Sequence, residues 1–218
     1  MTAPAIFLDR DGTISEMVYY PEHALVDSPC SPSQLMLAEG AGPALRTFRR
    51  LGYKLVLISN QPGIAKEHFT PEIHQQMVQR LDHLLGREGV ALTAQYYCLH
   101  HPQAKLAPYR LDCGCRKPEP GLLVQAAREH DLSLSDSITV GDSLTDVLAG
   151  QRAGTKTILL TTVNSLITRL MAEREAEPSF LARNLAEAAE QVRLIRRQVR
   201  ILCKLSSWPA ASVPACIR

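Results

Sequence analysis

Ala5-Ile6-Phe7-Leu8-Asp9-Arg10-Asp11-Gly12-Thr13 decides how the rest of this chain is read. Ile6, Phe7 and Leu8 form a short apolar run, the pattern of a buried parallel strand. Two carboxylates follow at its C-terminal end, two residues apart. In extended chain, residues i and i+2 point to the same side, so Asp9 and Asp11 can share one site. Gly12 lets the chain turn away at once, because it tolerates positive φ. Carboxylates crowded at a strand end repel unless a cation sits between them or one holds a proton. An acidic turn after a strand is the ordinary reading of such a stretch; its partners further along the chain argue for chemistry.

Outward from this strand, the chain alternates. Residues 14–38 carry Pro21, Pro29, Ser31 and Pro32 without a steady period and read as a loop or flap, long enough to be functional. A helix is expected from about Pro43 to Leu51, with Gly52 as its stop. Lys54–Ile58 reads as a strand, and Thr70-Pro71 opens a helix with Thr as N-cap and Pro at the first position. Ile73, Met77, Leu81, Leu84 and Leu85 keep helical spacing. A strand over Ala94–Leu99, a cysteine- and proline-rich loop from 98 to 120, and a helix over Gly121–His130 follow. Then come a strand over Ser137–Val140, a helix over Ser143–Ala153 and a strand over Lys156–Leu160. Phe180–Ala189 reads as the final helix. This alternation predicts an α/β fold with a doubly wound parallel sheet, Rossmann-like and without a large cap domain. Ligands in such sheets bind beyond the carboxyl ends of the strands, where Asp9, Asp11, Ser59 and Asp142 all fall.

Length and composition agree. The 218 residues suffice for a full core, and 45% are apolar. The net charge of +2 argues against a dedicated nucleic-acid binder. No apolar run approaches the roughly 20 residues needed to span a bilayer, and the start lacks a signal-peptide pattern. A cytoplasmic location is expected, where the six cysteines are thiols or metal ligands rather than disulfides. The domain is expected over 1–190, with 191–218 as a helical extension and loose tail.

Four strand-end features come in a fixed order: Asp9 to Thr13, then Ser59-Asn60-Gln61, then Arg116-Lys117-Pro118, then Gly141-Asp142 with Asp146 behind it. Each fits one part of phosphoryl transfer. Asp9 can be the nucleophile that forms an aspartyl-phosphate. Asp11 can protonate the leaving alkoxide and later activate water. Asp9, Asp142 and a dianionic phosphate would repel without a hard cation, and magnesium suits that role. Ser59 offers a hydroxyl and an N–H to phosphate oxygens, and Lys117 supplies fixed positive charge. Singly these residues have ordinary structural readings; together and in order they make a pattern.

In that pattern the chain resembles the haloacid dehalogenase superfamily of phosphatases. Within it, Asp9-Arg10-Asp11-Gly12-Thr13-Ile14, Ser59-Asn60-Gln61-x-Gly63-Ile64-Ala65, Cys98-x-His100-His101-Pro102, Cys113-x-Cys115-Arg116-Lys117-Pro118-x-Pro120-Gly121 and Val140-Gly141-Asp142 are similar to the D-glycero-D-manno-heptose-1,7-bisphosphate 7-phosphatases. Histidinol phosphatases share much of it. The resemblance covers about residues 4–160. It implies a phosphoric monoester hydrolase with Asp9 as nucleophile and Asp11 as general acid/base. Asp9, the Asp11 carbonyl and Asp142 would hold magnesium, with Asp146 in support. Thr13, Ser59, Asn60, Gln61 and Lys117 would serve phosphate and substrate, and Arg116 the rest of a small phosphorylated sugar.

Cys98, His100, Cys113 and Cys115 supply three thiols and an imidazole across a short loop, a donor set that suits a closed, structural zinc site. The family pattern favours His100 over His101 as the fourth ligand. Three departures stand out. Ser15 replaces the family's usual Asn, the flap has extra residues within about 22–35, and Lys66-Glu67 replaces Arg-Gly. A heptad-like seam, Leu181, Leu185, Ala188, Val192, Ile195, Val199 and Leu202, leaves the chain a monomer with an extended terminal helix or a dimer through 181–202. A catalytically silent scaffold acting through that helix is the alternative of a different class, and a polynucleotide end phosphatase the distant one of the same class.

Overall fold

In the computed structural model, residues 2–206 are described. The opening strand, β1 (Ala3–Leu8), lies at the centre of a six-stranded parallel sheet. β4 (Lys54–Asn60) and β5 (Ala94–Cys98) lie on one side of it. On the other lie β6 (Leu132–Gly141), β7 (Lys156–Leu160) and β8 (Phe180–Ala182), giving the order β5-β4-β1-β6-β7-β8. The chain winds outward from β1, returns to β1's other flank at β6, and winds outward again. The reversal falls between β1 and β6, and in such sheets the crevice forms there, beyond the strands' carboxyl ends.

The period of two in β1 fills both faces. Ile6 and Leu8 pack with Leu55, Leu57, Ile138 and Val140 under α1 (Ala41–Arg50), α2 (Pro71–Arg87) and α6 (Leu185–Ser206). Ala5 and Phe7 pack with Val56 and Ile58 under α3 (Gly121–Glu129) and α4 (Leu144–Ala153). All four β1 residues are fully buried, each large side chain contributing about 1.5–3 kcal/mol by leaving water. That rigid centre fixes where the next residues, Asp9 to Thr13, emerge.

Three expectations are corrected. β6 starts at Leu132, five residues before the expected Ser137, because the β1–β6 register shifts between Pro4 and Ile6. The Ser137 hydroxyl accepts from the Ala5 N–H at 2.8 Å and fills the gap in the ladder. Phe180–Ala182 is not helical: it pairs with Ile158–Leu160 as the edge strand. The flap contains a small antiparallel hairpin, β2 (Val18–Tyr20) with β3 (Leu25–Asp27), pinned at its base by Glu16 N–H to Met36 O and Ala38 N–H to Ile14 O. Between β7 and β8 a further helix, α5 (Ser165–Glu173), packs on α4.

α6 runs across residue 190 without a break, so the expected helical extension continues the final helix. Leu185, Ala188, Val192 and Ile195 of the seam are buried in the domain's own core, and Arg196 lies 4.5 Å over the Tyr53 ring. Leu181 belongs to β8 rather than to the seam. The side chains of Val199 and Leu202, and the expected tail after Ser206, lie outside the described residues. No helix among those described is long and apolar enough to cross a membrane.

Candidate active site

β1 delivers Asp9, β4 delivers Ser59, and β6 delivers Asp142, all at strand ends on one edge of the sheet. Lys117 arrives from the loop before α3. Its ammonium is buried and has three acceptors: Asp9 Oδ1 at 2.8 Å, Asp146 Oδ1 at 2.6 Å and the Ile58 carbonyl at 2.8 Å. Burial alone would lower the Lys117 pKa, but the charges of Asp146 and Asp9 outweigh it and hold the ammonium above its usual range.

Asp9, Asp142 and Asp146 each offer an oxygen within 4.8 Å of the others. Two glycines permit this crowding. A Cβ on Gly12, whose φ is +72°, would meet Asp142 Oδ2 at 2.0 Å, and one on Gly141 would meet the Asp146 carboxyl carbon at 2.2 Å. Burial and the neighbouring charges of Asp9 and Asp146 push the Asp142 carboxyl up to about 7. Asp146 also accepts from the Ser143 N–H at 3.1 Å, closing a capping box at the start of α4. Its two oxygens are therefore engaged by Lys117 and by the helix, which leaves Asp9 and Asp142 as the carboxylates open to a cation. The Asp9 oxygen facing Lys117 takes no other hydrogen bond among the described residues. Three carboxylates against one ammonium, on a hard-oxygen donor set, fit a magnesium ion.

Asp11 points elsewhere. Its carboxylate accepts from Arg10 Nε at 2.8 Å and Nη2 at 2.9 Å, from Gln61 Nε2 at 2.7 Å and from Ser15 Oγ at 3.0 Å. Burial by itself raises the Asp11 carboxyl; the Arg10 charge and the hydrogen bonds of Arg10, Gln61 and Ser15 overcome it and hold the group below the usual carboxylate range. Arg10 has no exposed surface at all. Sequence reasoning passed over it, since an arginine flanked by two aspartates reads as a solvated charge. Its position, two residues beyond the buried end of β1, was the available signal.

Two of the side chains expected at the phosphate already have hydrogen-bond partners. Asn60 clamps the Lys117 main chain, its Nδ2 donating to Lys117 O and its Oδ1 accepting from Lys117 N–H, both at 3.0 Å. The buried Gln61 amide is occupied by Asp11, by Ser59 Oγ at 3.1 Å and by Arg10 Nη2 at 2.7 Å. Ser59 and Thr13 lie buried at the strand ends, the Thr13 hydroxyl without a partner among the described residues. Arg116 donates to the His100 carbonyl at 3.2 Å. Burial lowers the His101 imidazole, and the charges of Arg116 and Lys66 push the same way, so a neutral His101 sits beside a rim carrying those two cations. The flap segment Asp27–Cys30 faces that rim across a cleft whose other wall includes Gly63, Lys66 and His68.

Beside the rim, Cys98, His100, Cys113 and Cys115 bring their donor atoms within 4.8 Å of one another. Sulfur separations are 3.1, 3.4 and 3.7 Å, and Cys115 Sγ lies 3.5 Å from His100 Nδ1. Tetrahedral thiolates about 2.3 Å from zinc stand about 3.8 Å apart, so the set fits that ion. His101 is outside it, its Nδ1 accepting from the Gln103 N–H.

A family model described as HAD-hydrolase-like matches residues 114–188. The chain is 34% identical over 189 residues to a Pasteurella multocida protein named D-glycero-beta-D-manno-heptose-1,7-bisphosphate 7-phosphatase, an alignment covering 87% of this chain and 96% of that one. Among solved structures, a Mesorhizobium loti protein described as a HAD-like phosphatase superposes with a TM-score of 0.73 at 31% identity, covering 90% and 87% of the two chains. A D,D-heptose 1,7-bisphosphate phosphatase from B. bronchiseptica, solved with magnesium and phosphate, gives 0.69 at 28% identity over 88% and 98%.

Proposed function

The chain belongs to the family of D-glycero-beta-D-manno-heptose-1,7-bisphosphate 7-phosphatases, and from that premise we propose that it is a phosphoric monoester hydrolase removing the 7-phosphate of that sugar bisphosphate. The observation that carries the reading is the convergence of Asp9, Asp142 and Lys117 at the β1/β6 crevice, with Ser59 beside them. The β anomer is proposed from the names of the curated relatives.

Asp9 is the nucleophile. Its oxygen attacks phosphorus, the ester P–O bond breaks, and the electron pair leaves on the sugar oxygen, which takes a proton from Asp11. Water then attacks the aspartyl-phosphate, its proton goes to Asp11, and the P–O bond to Asp9 breaks to release phosphate. Asp11 needs a place to carry that proton. Of its four partners, the Arg10 and Gln61 N–H groups are positioned to donate. The Ser15 hydroxyl can turn, because it also lies 3.2 Å from the Arg10 carbonyl. With its hydrogen on that carbonyl, Ser15 Oγ can accept from a protonated Asp11 Oδ1.

Magnesium would be held by the carboxylates of Asp9 and Asp142 and the main-chain carbonyl of Asp11, and when bound it offsets their charge and that of the phosphate. Lys117 supplies permanent positive charge where the transferring group develops negative charge. Lys66 and Arg116, on the rim, suit the second phosphate of a bisphosphate, and Lys66 reads it as a point charge rather than a fork. Cys98, His100, Cys113 and Cys115 would hold a structural zinc that fixes the loop carrying Arg116 and Lys117.

The test is magnesium-dependent phosphate release from a panel of both heptose bisphosphate anomers, histidinol phosphate and a 3′-phosphorylated oligonucleotide. Preference for the β-heptose bisphosphate, abolished in Asp9→Asn, is expected. Histidinol phosphate as the preferred substrate would refute the substrate; activity surviving in Asp9→Asn would refute the mechanism.

A further inference from the structure

Gln61 is buried, yet it is surrounded by polar groups and uses each of its own. Its carbonyl oxygen accepts from Arg10 Nη2 at 2.7 Å, and its amide donates to Asp11 Oδ2 at 2.7 Å and to Ser59 Oγ at 3.1 Å. It is thus in contact with a residue proposed to meet the phosphate and with the proposed acid/base at once. We propose that Gln61 is a positioning residue that couples Ser59 to Asp11, aiming the Asp11 carboxyl at the ester oxygen once phosphate occupies the site. This rests on the phosphatase reading above and deepens it.

The geometry explains why a side-chain amide is used. Asp11 Oδ2 needs a second donor besides Arg10 Nη2. Arg10 Nη2 needs an acceptor besides Asp11, because each unpaired donor on a fully buried cation is costly, and Nη1 already has no partner among the described residues. A carboxamide satisfies both with one planar group, donating and accepting in fixed directions. A glutamate here could accept from Arg10, but it would set a carboxylate oxygen against Asp11. An apolar residue of the same length would free Asp11 to rotate. The third contact, to Ser59, is what makes the arrangement responsive: when the Ser59 hydroxyl turns to a phosphate oxygen, the same amide feels the change. Ser15 holds the other oxygen of Asp11 at 3.0 Å, so Gln61 and Ser15 fix the carboxylate from two sides.

Positioning of an acid has a signature that packing lacks: it matters in proportion to how much the leaving group needs a proton. A nitrophenolate departs without one, whereas a sugar alkoxide does not. The experiment compares wild type, Gln61→Met, Ser15→Ala and Ser15→Thr with magnesium in single-turnover mode. The two substrates are p-nitrophenyl phosphate, followed by nitrophenolate release, and an alkyl phosphate, followed by release of the alcohol, so both readouts report the first displacement. General acid–base catalysis contributes roughly 10²–10⁴-fold. For Gln61→Met we expect a loss of at least about 10-fold with the alkyl ester, KM within about twofold, and nitrophenolate release within about threefold of wild type. Ser15→Ala is expected to show the same pattern at smaller size, with recovery in Ser15→Thr, as a control on the other oxygen of Asp11; Gln61→Leu carries the test if Gln61→Met does not fold. Equal losses with both substrates, in whichever variant folds, would show a packing or phosphate-binding role and overturn the coupling. An undiminished alkyl rate overturns it too, while leaving the phosphatase reading intact. Failure of the wild type on both substrates and on the heptose bisphosphate overturns both.

Discussion

Removing the buried ammonium of Lys117, as in Lys117→Met, should unbalance the site in a way that acid or magnesium can repair. Its three acceptors lie at 2.6–2.8 Å, and two of them are carboxylates that also face Asp142. Methionine fills most of the same volume, so packing changes little, but three crowded carboxylates lose the cation between them. Removing one partner of a buried pair costs about 3–5 kcal/mol. For a chain of this size that is a fall in Tm of about 6–20 °C. The carboxylates respond by binding protons more tightly. Asp142 and Asp146, already raised by burial and by like charge, rise further above their unfolded values, so the folded variant binds more protons, and its stability declines as pH rises through that window. The variant's deficit is therefore largest near pH 8 and shrinks toward pH 5. Magnesium at 100 times its Kd adds about 2.7 kcal/mol by mass action and narrows the gap without acid. The assay is guanidinium unfolding at pH 5, 6.5 and 8, with EDTA or with magnesium. A metal-free deficit below about 1 kcal/mol at pH 8, or one indifferent to both pH and magnesium, would falsify the charge argument. Loss of the fixed cation should separately lower kcat by about 10²–10³.

Other outcomes follow from the same distances. In wild-type protein stripped of metal, Asp142 at about 7 lies above its unfolded value, so its contribution to stability is present below about pH 4 and fades as pH rises to about 7; thermal midpoints in EDTA should fall over that range, and magnesium should flatten the trend. Gly12→Ala places a Cβ 2.0 Å from Asp142 Oδ2 at a φ of +72°, so it should cost about 1–3 kcal/mol and weaken magnesium binding in calorimetry; unchanged affinity would show that Asp142 is not a ligand. Cys113→Ala should lose zinc by metal analysis and raise KM while kcat stays within a few-fold of wild type.

The strand ends were legible because a buried strand announces itself locally. Ile6-Phe7-Leu8 and Leu55–Ile58 are apolar on both faces, so the residues after them had to sit at the sheet's carboxyl edge. The edge strand Phe180–Ala182 carried no such mark. Three residues gain strand form only from their pairing with β7, and the helical spacing of the following residues extended over them in the sequence reading. The burial of Arg10 and of Gln61, the latter expected at the phosphate, was illegible for a different reason. A charge or an amide is read as exposed by default, and only the hydrogen bonds among Arg10, Asp11, Gln61 and Ser15, contributed by two separate loops, offset most of the cost of burial, with Arg10 Nη1 unpaired among the described residues. The clamp of the Asn60 side chain on Lys117 was not legible, because sequence gives a side chain's chemistry but not the direction in which it points.

That clamp bears on how far zinc matters. Lys117 is anchored twice: two residues upstream by Cys115 of the proposed zinc set, and directly by the pair of hydrogen bonds from Asn60 at the end of β4. Its ammonium is held further by Asp9, Asp146 and the Ile58 carbonyl. Arg116 has one side-chain anchor among the described residues, the carbonyl of His100, which is itself a proposed zinc ligand. If the ion goes, His100 and Cys115 lose their common centre, and Arg116 loses both its acceptor's position and its neighbour's. Lys117 keeps its partners on β1, β4 and α4. The two adjacent cations therefore separate functionally: the one facing the transferring phosphate survives zinc loss, and the one on the substrate rim does not. Substrate binding should weaken before the chemical step does, which is why the Cys113→Ala effect is expected in KM.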